Sequence, residues 1–264
     1  MSESFIWRDA GRAVVFGRGG VAQAPELLRK NGLHSFELLS TARALPEIEA
    51  LAEAAEAVRE VAPGAVPETS AALLDRAGGA TLVAYGGGRV IDTAKAVASI
   101  TGAGVVALPT TMSGAEMTGI HRLPAGAEER SRGLVRPQLV IADPEAMTSQ
   151  PEPTLRASSM NALAHGADSL YTPFANPVSR MTALRGARLI ALALDQAPPE
   201  RERASLALGS VLCGYAIDSG MFAIHHVICQ TLVRVCGAPH GFANAAILPR
   251  AMAYMAPRAP EQMS

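Results

Sequence analysis

Apolar positions in the first half of the chain fall into short runs, each closed by glycine, proline or a hydroxyl residue. "RAVVFG" ends at Gly17 and predicts a strand. "VAQAPELLRKNG" predicts a helix stopped by Gly32. "SFELLS" predicts a second strand. "LPEIEALAEAAEAVREVAPG", rich in Ala, Glu and Leu and closed by Pro63-Gly64, predicts one long helix. "ATLVAYGGG" is a strand running into three glycines, and "VIDTAKAVASI" is the helix after it. "GVVALPTT" and "QLVIADP" predict two further strands. Strands alternating with helices over residues 1–150 predict a parallel, Rossmann-like α/β domain with ligands outside the carboxyl ends of its strands.

The pattern changes near Pro151. "PTLRASSMNALAHGADSLYT", "NPVSRMTALRGARLIALALDQ", "ERASLALGSVLCGYAIDSG" and "MFAIHHVICQTLVRVCG" are each of helix length and punctuated by Pro, Gly or Asn. Residues 151–264 therefore predict an all-helical second domain.

Composition narrows the function classes. The chain is 49% hydrophobic and 18% charged, a globular balance. A net charge of -1 with 4% aromatic residues offers neither a basic field nor stacking surfaces for nucleic acid, and no polybasic patch for a membrane. No apolar run approaches the roughly 18 residues needed to span a bilayer. The start lacks a basic segment followed by an apolar core, so a cytoplasmic protein is the expectation. Cys213, Cys229 and Cys236 are odd in number and form no CxxC pair, which predicts buried free thiols.

Four features carry candidate chemistry. "GRGGVA", Gly17 to Ala22, fits a dinucleotide fingerprint, but Glu37 lies too early in its strand to be the acid that meets a ribose. The second strand ends instead in Ser40-Thr41, which leaves room for NADPH as well as NADH. "YGGGRVIDTAKAVA" is more specific. Gly86, Gly87 and Gly88 let the backbone approach a ligand, and the following helix N-terminus favours a phosphate. In "LPTTMSGAEMTG", Thr110, Thr111 and Ser113 follow a strand end and suit a pyrophosphate or ribose. The helical half carries His165, the adjacent His225 and His226, and His240. Asn161 precedes His165 by four residues and so shares its helix face. Three histidines on neighbouring helices suit either a three-His metal site or proton transfer near neutral pH.

With these residues in order, the chain resembles the iron-containing alcohol dehydrogenase superfamily, within the dehydroquinate synthase-like fold. The resemblance is closest to the maleylacetate reductase branch. It rests on "GGGRVIDTAKAVA", "LPTTMSGAEMT", "PQLVIADPEAM", "NALAHGADSLYTPFANPV" and "HHVICQTLVRVCGAPHGFANAAILP", which span nearly the whole chain. The resemblance implies an N-terminal domain that binds NAD(P)H, a helical catalytic domain and a substrate cleft between them. It puts pyrophosphate on Gly86, Gly87 and Gly88, cofactor contacts on Thr110, Thr111 and Ser113, and matches Asp92 and Lys95 to the family pattern G-G-G-S-x-x-D-x-A-K. Ser40 joins the cofactor set at the end of the second strand.

The departures carry information too. Metal-dependent members use one Asp and three His; the matching positions here are Asn161, His165, His226 and His240. Asn resembles the reductase branch, regarded as working without a bound metal. Gln230 and Asn244 stand where relatives place further histidines, Arg89 replaces the Ser of the glycine turn, and the chain is shorter at its C-terminal end than the family.

An amide is a poorer ligand for Fe²⁺ or Zn²⁺ than a carboxylate, so the expectation is a degenerate metal site with no catalytic metal. The expected function is an NAD(P)H-dependent reductase of a small carbonyl or enoyl acid, with His165, His226, His240 and Asn161 at the catalytic site. Arg89, Arg122 and Arg132 are candidate anchors for a substrate carboxylate. Two alternatives keep the scaffold. One is a non-redox enzyme using the histidines as acid and base in a cyclisation, dehydration or decarboxylation; the other is a catalytically silent interaction subunit. A homodimer is expected, with no nucleic-acid or membrane partner.

Overall fold

The computed structural model describes residues 5–9, 11–77, 81–198 and 201–263. The chain forms two compact units, Met1–Thr111 with Ala115–Met147, and Met112–Gly114 with Thr148–Ser264.

The first unit is built on a seven-stranded sheet. Its strands are β1 (Phe5–Asp9), β2 (Arg12–Phe16), β3 (Phe36–Ser40), β4 (Ala57–Glu60), β5 (Thr81–Gly86), β6 (Val105–Pro109) and β7 (Leu139–Ala142). They lie in the order β1-β2-β7-β6-β5-β3-β4. Pairing is parallel except between β1 and β2, an antiparallel hairpin that turns at Gly11 with φ +86°. All five strands expected from the apolar runs are present.

Strand alternation sorts the core into two layers. Leu38, Val83, Tyr85, Val106 and Ile141 pack with α1 (Ala24–Lys30) and α2 (Glu49–Glu53) on one face. Leu39, Leu82, Ala84, Val105 and Ala107 pack with α3 (Val66–Leu74) and α4 (Gly88–Thr101) on the other. Both faces are covered, as a parallel sheet requires. From β3 the chain moves outward to β4, then returns to the other side of β3 as β5 and proceeds to β6 and β7. The strand order therefore reverses between β3 and β5, which puts the ligand crevice of such a sheet at Ser40 and Gly86.

The long helix expected over residues 45–64 is not formed. A 3₁₀ turn (Leu45–Glu47), the short α2 and edge strand β4 replace it. Helix propensity yields here to sheet pairing. β4 extends the edge beside β3, and Arg59 on β4 reaches Glu37 on β3 at 2.8 Å.

The second unit is helical: α6 (Glu152–Ser169), α7 (Pro177–Leu194), α8 (Arg203–Gly220), α9 (Ile224–Cys236), α10 (His240–Met255) and the single turn α11 (Pro260–Met263), after α5 (Pro144–Met147) in the first unit. α7 opens with a capping box in which Asn176 accepts from the Val178 and Ser179 amides. Glycines allow α7 and α8 to cross closely. A Cβ on Gly186 would lie 2.7 Å from Cys213 Sγ and 2.8 Å from the Gly209 carbonyl oxygen. Cys213 and Cys229 are buried, but Cys236 is exposed, which corrects the expectation for that thiol. No single described helix is long and apolar enough to cross a membrane.

The helix crossing gives the first prediction. Gly186→Ala should lower stability in urea by about 1–3 kcal/mol, because backbone and a buried thiol must yield to one methyl group. Arg185→Ala, on the exposed side of the same helix, should stay within about 0.5 kcal/mol of the parent. Equal effects of the two changes would show that the crossing is not tight.

Candidate active site

In the α/β unit the glycine turn sits at the sheet's switch point. Gly86 ends β5, Gly87 is the N-cap of α4 and Gly88 is its first residue. The Thr110 amide donates to the Gly86 carbonyl at 3.0 Å and pins the turn to the end of β6. A Cβ on Gly86 would approach Val90 to 2.7 Å, and one on Gly87 would approach the Thr111 methyl to 2.9 Å. The backbone here is bare because neighbours occupy the space. α4 runs for 14 residues with no acidic side chain in its first turn, so its positive end is open to an anion. By contrast, the "GRGG" turn follows β2, away from the switch point, and its Val21 amide donates to Asp143 Oδ2 at 3.2 Å. It is an ordinary strand-to-helix turn.

Other cofactor candidates sort by what their polar atoms already hold. The Ser40 hydroxyl donates to the Tyr85 carbonyl at 2.9 Å. Lys95 is wholly buried; its Nζ donates to Asp92 Oδ1 at 2.8 Å and to the carbonyls of Ala115 at 3.0 Å and Ile120 at 2.7 Å. Its three protons are thus engaged, and the Lys95–Asp92 pair holds loop 115–120 against α4. Thr110 and Thr111 belong to the α/β unit, whereas Ser113 lies in the 112–114 segment of the helical unit. Arg89 donates to the Ala62 carbonyl, and Arg122 and Arg132 are exposed.

In the helical unit, α6 and α9 bring His165 and His226 together. Both are buried, and their rings stack at 4.7 Å with 17° between planes. Phe222 flanks the His226 ring at 4.7 Å. Asn161, one turn before His165, donates from Nδ2 to the Met112 carbonyl at 3.4 Å. Gly114, at φ +73°, leaves room for the His165 ring, which a Cβ would meet at 2.9 Å. Asn161 Oδ1, His165 Nδ1 and His226 Nε2 are buried without a hydrogen-bond partner among the described residues. His240, first residue of α10, is exposed, unlike His165 and His226, and lies near enough for its charge to depress His165.

The charge of the site comes from a residue that the sequence patterns did not single out. Asp168, fully buried on α6, accepts at Oδ2 from His226 Nδ1 at 2.7 Å and from the backbone amides of Ala223 at 3.0 Å and His226 at 3.1 Å. Its Oδ1 accepts from the Tyr171 hydroxyl. Burial alone would raise the Asp168 pKa, but the bonds from His226 and Tyr171 outweigh it and hold the carboxyl below its ordinary value. His165 is driven well below the usual imidazole range, chiefly by burial and then by the neighbouring His226, His240 and His225. His225 is lowered by burial as well. The available signal was spacing: Asp168 lies three residues after His165, on the adjacent turn of the same face.

At the positions that match the family's metal ligands, Asn161, His165, His226 and His240, the chain offers a neutral donor set. Ring nitrogens bind a divalent ion at about 2.0–2.1 Å and near their ring planes. The near-parallel, stacked planes of His165 and His226 do not meet close to the rings. Asn161 offers an amide, not a charge. Asp168, His225 and His226 bring donor atoms within 4.8 Å of one another, but Asp168 Oδ2 is already occupied by three N–H groups. The trio is a hydrogen-bond network.

A switch-point glycine turn on a parallel sheet, joined in one chain to a helical unit with buried imidazoles, defines a dinucleotide-dependent type of oxidoreductase fold. Comparison with known proteins agrees. Residues 11–144 match the family model for iron-containing alcohol dehydrogenase, and residues 156–264 match the C-terminal model of the same family. The chain is 31% identical to maleylacetate reductase from Rhizobium sp. (strain MTP-10005), covering 99% of this chain and 79% of the relative. It is 31% identical to maleylacetate reductase 1 from Rhodococcus opacus, covering 99% and 77%. The crystal structure of maleylacetate reductase from Agrobacterium tumefaciens superposes with a TM-score of 0.84 at 32% identity, covering all of this chain and 79% of that one. The chain belongs to the iron-containing alcohol dehydrogenase family, in its maleylacetate reductase branch, and is an oxidoreductase.

Burial orders the thiols of this unit. Cys213 is pushed up to about 12 and Cys229, beside His225, to about 11, each chiefly by burial. A disulfide reagent at pH 8 should therefore titrate Cys236 rapidly in the native protein and all three thiols only in denaturant. Rapid loss of more than one thiol from the folded protein would contradict this packing.

Proposed function

We propose that this chain is an NAD(P)H-dependent reductase of a small carbonyl or enoyl acid, of maleylacetate reductase type, working without catalytic iron. The observation that carries the reading is His226: its Nδ1 is held by Asp168, and its buried Nε2 has no partner among the described residues. Such an atom is placed to exchange a proton with substrate. The maleylacetate reductases that match over 99% of the chain support the substrate class.

On the α/β unit, Gly86, Gly87 and Gly88 would take the pyrophosphate at the N-terminus of α4, with the Thr110 and Thr111 hydroxyls beside it. When bound, the reduced nicotinamide supplies the hydride. His226 Nε2 delivers the proton that balances it, to oxygen for a carbonyl or to carbon for a conjugated alkene. His165 is kept neutral by burial and stacks on the His226 ring, holding it in plane. Asn161 Oδ1, buried without a partner among the described residues, is placed to accept a hydrogen bond from the hydroxyl that reduction of a carbonyl would create. In this reading the proton moves through His226 and the hydride comes from the nicotinamide, with no metal in the sequence of steps.

A homodimer completes the proposal. It is supported by the exposed apolar strip of α7, where Met181, Leu184 and Leu192 are 66%, 54% and 56% exposed. Light scattering at micromolar concentration should give the mass of two chains; a monomer would remove this part.

Chelator-treated protein should oxidise NADH or NADPH with maleylacetate at the rate of untreated protein. His226→Ala should lower kcat by about 100-fold or more. Gly87→Ala should weaken dinucleotide binding, seen by fluorescence titration, while the fold stays intact. Loss of activity on chelation, restored by Fe²⁺ or Zn²⁺, would overturn the metal-free mechanism.

A further inference from the structure

The hydrogen bonds behind His226 determine which of its nitrogens carries the working proton. His225 Nε2 faces the Asn244 carbonyl at 3.1 Å. A carbonyl only accepts, so His225 carries its proton on Nε2. With that proton on Nε2, the Nδ1 of the neutral ring carries a lone pair. That lone pair lies 3.3 Å from His226 Nδ1. Asp168 Oδ2, a carboxylate oxygen, lies 2.7 Å from the same atom. Two acceptors thus converge on His226 Nδ1, and only an N–H there satisfies both.

We propose that Asp168 is a positioning residue for the reduction: with His225, it locks His226 in the Nδ1–H tautomer, so that Nε2 alone takes up and releases the proton, and its charge balances the ring when Nε2 is protonated. This rests on the reductase reading only for its kinetic consequence; the tautomer itself follows from the network. Three further observations support it. Nε2 is the His226 atom left buried without a partner among the described residues. The Tyr171 hydroxyl occupies Asp168 Oδ1, so Oδ2 is the oxygen directed at the ring. The Ala223 and His226 amides donate to that same oxygen, which fixes it relative to the backbone that carries the ring. A carboxylate behind an imidazole orients the ring and stabilises its protonated form without itself taking the proton. In proton bookkeeping, the ring enters with both nitrogens protonated. The Nε2–H bond breaks as the bond to the substrate atom forms, and the neutral Nδ1–H ring remains until solvent reprotonates Nε2.

The test uses the full chain labelled with ¹⁵N-histidine, and its first arm needs no substrate. At a pH where the ring is neutral, long-range ¹H–¹⁵N correlation should show His226 with a protonated Nδ1 and an unprotonated Nε2. A predominant Nε2–H form would overturn the proposal. The second arm is Asp168→Asn, which keeps an oxygen for the three N–H donors but removes the charge. It should lower kcat by about 100-fold or more with KM within about threefold. A folded Asp168→Asn enzyme with unchanged kcat would reduce Asp168 to a structural role and also overturn the proposal. If that variant does not fold, Tyr171→Phe, which strips one hydrogen bond from the same carboxylate, should lower kcat several-fold, and an unchanged kcat there counts against it. If the parent chain oxidises no NAD(P)H, the functional proposal fails, while the ¹⁵N result still decides the tautomer.

Discussion

Burying a carboxylate costs several kcal/mol unless nearly every lone pair finds a donor. Asp168 meets that condition with four donors: the Tyr171 hydroxyl, two backbone amides and one imidazole N–H. The two amides belong to Ala223 and His226, the N-cap and third residue of α9, a helix whose N-cap supplies no side-chain cap of its own. A side chain from α6 therefore does what an Asp at the N-cap would do, and its charge sits at the positive end of the helix dipole. The same contact starts α9 and aims His226. The approach to it is strained: Met221, between α8 and α9, holds φ +63°, a conformation that residues other than glycine rarely adopt. Thr172 donates to the Gly220 carbonyl just before it, and Asp168 grips Ala223 just after it, so the turn is fixed from both sides.

The α/β unit uses the opposite charge in the same manner. Lys95 is buried without solvent access, and its ammonium group is satisfied by Asp92 and two carbonyls of the 115–120 loop. Each unit thus has an irregular segment held by one fully paired, buried charge. Such pairs contribute little net stability against an apolar alternative, but they specify one arrangement of a loop that sequence propensity leaves open.

How much of this was legible in the sequence follows from the kind of force involved. Strands β2, β3, β5, β6 and β7 are continuous apolar runs because both their faces are buried, and such runs stand out from any polar neighbour. The 45–64 segment misled for a related reason. Its Ala, Glu and Leu favour a helix locally, yet residues 57–60 gain more by pairing with β3, a partner some twenty positions away. At the site, the Asn161–His165 spacing and the His225-His226 pair pointed to α6 and α9, and the structure brings them together. Asp168 was not legible as part of the site, because its role depends on α8 turning back to deliver Ala223 and His226 to it. His240 looked equivalent to the other histidines in the sequence; only the packing of α10 shows that it is exposed.

The proposed metal-free reading turns on the placement of charge. The family resemblance puts an Asp among the metal ligands of the metal-dependent members. Here the corresponding residue is the neutral Asn161, and the buried anion is Asp168, behind the His226 ring. A carboxylate in front neutralises an ion that the rings share. A carboxylate behind acts through one ring, by fixing which nitrogen is protonated and by favouring a charge that lives on that ring alone. A proton on Nε2 is such a charge; a divalent ion, which must be shared among several donors whose planes converge, is not. The stacking of His165 on His226 is consistent with that division, since it holds the ring's plane while leaving its edge free to face a substrate atom.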